Sequence, residues 1–404
     1  FLGDIAMKKL FYYSFILYLI FFPLVPSRLN WKYPITEVML LLVLVFYLLY
    51  VFMDRNKFKE FKENLILFFK EPVSLLMVII TCIMMISITY CTDKILVLKE
   101  TLRFGIITGL FFIFRFEFNT EFYKEKLIKL IYYPEFIVML IGFYEKIFGL
   151  GFEEWSGLLR IESTTGNPNI YGGYLVVLFF PLLFLMFDEK NNKRKIFYIL
   201  ELGMIFLSII FTGSRNALLA VGLGAVFISV FYIRKLLYVL IPTFIVLLQT
   251  PFVKERLSTG DAGRSQIYKI AWLVFRDNPI IGVAIGNFES VFTEYYIRYP
   301  QFQYNPDIYH THNIYLKFLS ELGIVGFIPF ILLMIFILVN SIKAVKLTSG
   351  NIRNICIGIT IVNVLFWIMS AFDNIILLPK VMNFYFIMNV IPLLILSKKK
   401  ENKI

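Results

Sequence analysis

Charge and cysteine are both scarce in this chain. Only 17% of its 404 residues are Asp, Glu, Lys or Arg, against 59% hydrophobic, and the mean hydropathy is +0.76. A soluble domain is about a quarter charged, so there is too little polar surface here to coat a water-soluble globule of this size. Three cysteines, Cys82, Cys91 and Cys356, form no CxxC and lie in or beside apolar segments. That excludes a disulfide scaffold and leaves them as packing residues. With 22 Gly and 15 Pro the chain is neither collagen-like nor low-complexity. No internal repeat stands out, which removes solenoids. P-loop, GxSxG and HExxH patterns are missing, so ATP-driven work and two common hydrolytic chemistries lose their support. What the chain has is 45 Phe, 24 Tyr and a succession of long apolar runs. It reads as an all-α polytopic membrane protein.

A helix crosses the hydrocarbon core in about 20 apolar residues. Twelve runs qualify: 10–27, 34–53, 72–91, 95–115, 127–149, 169–187, 196–213, 214–233, 236–250, 319–340, 353–372 and 379–397. The run at 236–250 is short and holds Pro242, and 95–115 carries Lys99, Glu100 and Arg103. With the N-terminus taken as cytoplasmic, Lys and Arg number 24 on the inner segments and 7 on the short outer ones. That asymmetry is the positive-inside rule, and it puts both termini in the cytoplasm. It also explains the net charge of +12 without nucleic acid as a partner. Phe1–Ala6 precede Met7-Lys8-Lys9, a natural start, and are read as a cloning remnant. Helices one to nine then fill 7–250, an outer loop with short helices fills 251–318, and helices ten to twelve with a cytoplasmic tail fill 319–404. The loop is the only long hydrophilic region, and such loops are commonly functional, a variable decoration being the alternative.

Both histidines lie in that loop, in His310-Thr311-His312-Asn313. These are the only side chains of the protein that titrate near neutrality when unperturbed. Thr311 or Asn313 suits an N-cap for the following helix. His312 would then face the positive end of a helix dipole, which favours the neutral imidazole that a general base needs. A capping pair and a metal site are the other readings, though no Cys, Asp or Glu cluster nearby completes a ligand set. Arg215, in Thr212-Gly213-Ser214-Arg215-Asn216, sits at the outer end of an apolar helix. A guanidinium there either snorkels to the interface or meets an anion, for which its fork suits phosphate. Arg264, in Gly263-Arg264-Ser265, opens a helical stretch that runs to Phe275, where backbone N–H groups also draw anions. It is otherwise an exposed loop residue. Arg103 either pairs with Glu100 at i,i+3 or faces the same cavity as Arg215. Asp373-Asn374 read as plain outer loop.

In order and spacing, several segments resemble the O-antigen ligase/polymerase superfamily. They are Gly166-Asn167-Pro168-Asn169 with Gly172-Gly173-Tyr174, Thr212-Gly213-Ser214-Arg215, and Gly263-Arg264 followed by Trp272 and Asn278-Pro279-Ile280-Ile281-Gly282. His310-Thr311-His312-Asn313 with Leu316, Glu321, Gly323 and Gly326 completes the set. The resemblance covers residues 160–330, and Ala284 departs from it where the family often has Gly. It implies a GT-C-like multi-span glycosyltransferase of the bacterial inner membrane, working on the periplasmic side without metal or other cofactor. The donor would be an undecaprenyl-diphosphate-linked glycan. Carried onto this chain, Arg215 and Arg264 would hold the donor diphosphate and His312 would activate the acceptor hydroxyl. His310 and Arg103 would assist in substrate binding.

The physical requirements agree with that picture. A departing diphosphate gathers negative charge that Arg residues and dipoles stabilise. A sugar hydroxyl needs a base, and attack opposite the leaving group inverts the anomeric centre. The leading expectation is an O-antigen ligase that loads a lipid A–core acceptor. A polymerase extending a lipid-linked glycan acceptor is the alternative. A lipid-linked glycan transporter is the reading from another class, and it expects ionisable residues near the bilayer midplane and pseudo-symmetric halves. The sequence suggests neither.

Overall fold

A computed structural model of the chain describes residues 2–32, 35–118, 122, 126–153, 159–232, 263–303 and 310–401, with isolated positions between 234 and 249. The chain opens with α1 (Leu2–Phe21), α2 (Ser27–Lys32), α3 (Ile35–Met53), α4 (Arg55–Lys70), α5 (Pro72–Ile86) and α6 (Lys94–Phe116). It continues with α7 (Ile128–Phe148), α8 (Pro168–Asp188), α9 (Asn192–Thr212) and α10 (Arg215–Phe231). Two short helices, α11 (Arg264–Asp277) and α12 (Phe288–Arg298), precede α13 (Ile314–Leu347), α14 (Gly350–Met369) and α15 (Pro379–Glu401). A two-residue hairpin, Phe152–Glu153 against Leu159–Arg160, is the only strand pairing among the described residues.

Seven of these helices are long and apolar enough to cross a membrane: α3, α5 with its 3-10 extension to Thr89, α8, α9, α13, α14 and α15. Helices α1, α6, α7 and α10 also stand where spans were expected, but carry more charge or are shorter. The run at 236–250 lies mostly outside the described residues. The fold is thus all-helical and polytopic, with α8, α14 and α15 as the most buried of the apolar helices.

Three features depart from the sequence reading. First, residues 55–70 are not a plain loop but the amphipathic α4. Asp54 caps it by accepting from the Asn56 and Lys57 amides at 2.9 and 3.2 Å. Lys57 is buried between Glu60 and Glu117, at 2.9 and 2.8 Å. Second, α13 is broken at Gly323 (φ +61°, ψ −162°). Residues 279–283 wedge into the break. The Ile324 and Val325 amides donate to the Pro279 and Ile280 carbonyls at 2.9 and 3.1 Å, and the Val283 amide donates to the Ser320 carbonyl at 3.0 Å. A Cβ at Gly323 would stand 2.2 Å from the Ile280 carbonyl oxygen, so both its φ and its surroundings demand glycine. Third, Glu135 on α7 and Glu201 on α9 are fully buried mid-helix, Glu135 taking a hydrogen bond from the Tyr174 hydroxyl. Ionisable groups do therefore lie deep inside spans, against the expectation drawn from the apolar runs.

Hydrogen bonds gather particular helix ends on one side of the bundle. The Ile314 amide donates to the Ser370 carbonyl at 2.9 Å and the Ile161 amide to the Phe211 carbonyl at 3.1 Å. The Lys380 ammonium donates to the Pro23, Val25 and Thr164 carbonyls at 3.0, 2.8 and 2.7 Å. The ends of α1, α9 and α14 therefore meet the starts of α13 and α15.

Candidate active site

The start of α13 is laced to the turn that follows α14. Asn313 is the N-cap, its Oδ1 accepting from the Tyr315 and Leu316 amides at 3.0 Å each. Its Nδ2 donates to the Ala371 carbonyl at 3.0 Å. Thr311, the other capping candidate, instead accepts from Asn374 Nδ2 at 3.0 Å. These bonds hold His312 with φ +45°, a left-handed conformation costly for a residue with a Cβ. The turn aims the imidazole at Asp373, with Nδ1 3.3 Å from Oδ1.

Asp373, an ordinary loop residue by sequence, is the partner of His312. Burial alone would raise its carboxyl. The hydrogen bond and charge of His312, then the charge of Arg264 and the Asn374 amide, outweigh burial and hold it below the usual carboxylate range. Towards an ionised Asp373, Nδ1 must donate, so Nε2 is the ring nitrogen left to meet a substrate.

Arg264 reaches the same turn. Gly263 (φ +79°) caps α11, and the first residue of that helix sends Nη1 to the Phe372 carbonyl at 2.7 Å. One turn on, the Tyr268 hydroxyl donates to the His312 and Ala371 carbonyls, at 3.0 and 3.3 Å. Tyr268 thereby clamps the backbone on both sides of the His312–Asp373 pair.

Arg215 is the first residue of α10, behind Ser214 as N-cap. Its neighbour Asn216 donates to the Met369 carbonyl at 3.0 Å, at the end of α14 and just before the Ser370–Asn374 turn. Arg160, which no sequence motif singles out, is buried and braces this corner. Its Nε donates to the Thr212 carbonyl at 2.6 Å and its Nη2 to Asn169 Oδ1 at 2.8 Å. The Asn167-Pro168-Asn169 and Thr212-Gly213-Ser214 segments, far apart in sequence, are joined through it.

Two residues fall outside this cluster. Arg103 pairs with Glu100 at 3.3 Å and Glu37 at 3.9 Å, the ion-pair alternative of the two considered. His310 is exposed, and the charges acting on it are those of Lys317, His312, Glu289 and Glu100. Behind it the partly buried Lys317 sits on Glu321, 2.9 and 2.7 Å from its two oxygens, and Glu321 accepts the Gly286 amide at 2.7 Å. This anchors the 279–287 loop on α13. Among the described residues no group of three or more His, Cys, Asp or Glu is placed to hold a metal ion.

Fold and cluster together define a polytopic helical membrane protein with an imidazole–carboxylate pair and guanidinium groups at one end of its bundle. Residues 200–331, about a third of the chain, match the family described as O-Antigen ligase. The resemblance to the O-antigen ligase/polymerase superfamily is shown over that segment, which holds Arg215, Arg264, His310 and His312 but neither Asp373 nor Arg103. The match supports glycosyl-transfer-related enzyme activity in general and does not separate ligase from polymerase. No curated protein matches the chain.

Proposed function

We propose that the protein is a glycosyltransferase of the bacterial inner membrane, moving a glycan from undecaprenyl diphosphate to a lipid A–core hydroxyl on the periplasmic side. The observation that carries this reading is the His312–Asp373 pair, bonded within one turn of chain to Arg264. Asp373 orients the ring and His312 Nε2 takes the proton of the acceptor hydroxyl. The acceptor oxygen bonds the anomeric carbon as the bond from that carbon to the phosphate oxygen breaks. The electron pair leaves with the diphosphate, whose charge Arg264 and Arg215 neutralise. Inversion at the anomeric carbon follows.

Transfer from a purified lipid-linked donor tests this. His312→Ala should slow turnover by about 10²–10⁴-fold, the usual worth of a positioned acid–base group, with donor affinity retained. Arg264→Ala should instead weaken donor binding by about tenfold or more as well as rate. Full turnover in the His312 variant would remove the base, and unchanged diphosphate affinity in the Arg264 variant would remove the clamp. Product analysis separates the ligase from the polymerase reading: glycan on lipid A–core marks the first, a longer lipid-linked chain the second.

A further inference from the structure

Opposite the His312 end, a cavity of about 210 Å³ lies between the first turns of α7 and α9. Lys129, Lys193 and Arg194 line it together with Tyr132, Tyr133 and Phe197, and among the described residues no acid does. Among the described residues, Glu189 is the acid paired with one of these cations, 3.5 Å from Arg194. Glu201 sits a turn deeper on α9 and does not line the space. Nothing in the proposed transfer uses this end of the molecule.

We propose that the cavity binds a phosphate ester, supplied by the headgroup of an anionic phospholipid. Three cations meet across two helices in a space worth several water volumes, each about 30 Å³ in the liquid. The positive end of α9, a helix of 21 residues capped by Asn191, adds to the field. Tyr133 and Phe197 close one wall edge to face, with ring centres 5.2 Å apart. The apolar surface continues away from the charges: Ile137 and Leu140 on α7, and Ile196 and Ile199 on α9, are 47–58% exposed and would lie along an acyl chain. Basic pockets between helix ends at a membrane surface suit lipid headgroups in this way. The walls also favour a lipid over free phosphate, which has nothing to place against them.

Lipid binding to the full-length protein in detergent, read by native mass spectrometry, decides the matter. Phosphatidylglycerol should be retained about tenfold more tightly than phosphatidylcholine, and the combined Lys129→Gln, Lys193→Gln and Arg194→Gln variant should lose that preference. Lys193→Gln alone, at an exposed side chain, should reduce it part-way and guards against misfolding of the triple variant. If millimolar inorganic phosphate displaces the lipid, free phosphate is an occupant of the same site; if it does not, the headgroup is the ligand. Equal retention of the two lipids, or an undiminished preference in both variants, would overturn the proposal.

Discussion

Asp373 faces the His312 ring, and its own ionisation gives a pH test. An ordinary aspartate titrates near pH 4. A lowered value in the folded state means that the stability it lends is complete above about pH 4 and is lost as pH falls through the lowered value. Asp373→Asn should therefore cost about 1–2 kcal/mol near neutrality and flatten the acid limb of the melting profile. An unaltered acid limb would show that the pair contributes nothing to folding. The residue was nonetheless within reach of the sequence, because it is the only Asp or Glu between Glu321 and Glu401. A lone acid directly after an apolar helix invites a partner. His312, Arg215 and Arg264 stood out because each interrupts an apolar or helical pattern with a chemistry-bearing group. Arg160 gave no such signal, since its value comes from two carbonyl and amide oxygens that only the fold brings together.

At the scale of elements, the break in α13 is what holds the 279–287 segment in register. The loop at 279–283 takes over backbone bonds that an unbroken helix would make to itself, and Gly323 is where the chain makes room. Gly323→Ala combines a positive φ with a backbone clash and should lower stability by about 1–3 kcal/mol or more. Thermal unfolding of the purified variant measures this, and a melting temperature equal to that of the parent protein would mean that the wedge carries no load. Apolar runs located the helices but could not reveal the break, because Gly323 is one glycine among Ile, Leu and Val and periodicity continues through it. The amphipathic α4 was hidden for the opposite reason: its five Lys and Arg residues count as an inner loop in a tally of charge.

At the scale of the whole molecule, the alternation of helix ends places the His312 cluster and the α7–α9 cavity on opposite faces. If both termini are cytoplasmic, as the charge asymmetry leads one to expect, the first face is periplasmic and the second cytoplasmic. Single cysteines in a chain freed of its own three should report this. Glu294→Cys, at a 61% exposed side chain on α12, should react with an impermeant maleimide in spheroplasts. Lys59→Cys, exposed on α4, should react only after permeabilisation. The reverse pattern would put the candidate site in the cytoplasm, where a periplasmic transfer is impossible.

The proposed division of labour between imidazole and carboxylate is open to a direct test by a double-mutant cycle on turnover, using His312→Ala and Asp373→Asn in the glycan-transfer assay. If Asp373 acts through His312, the aspartate substitution slows the parent enzyme by about 10²-fold and changes nothing once His312 is gone. Two effects that multiply in the double variant would show that the residues act separately, and the base assigned to helix α13 would have to be sought elsewhere.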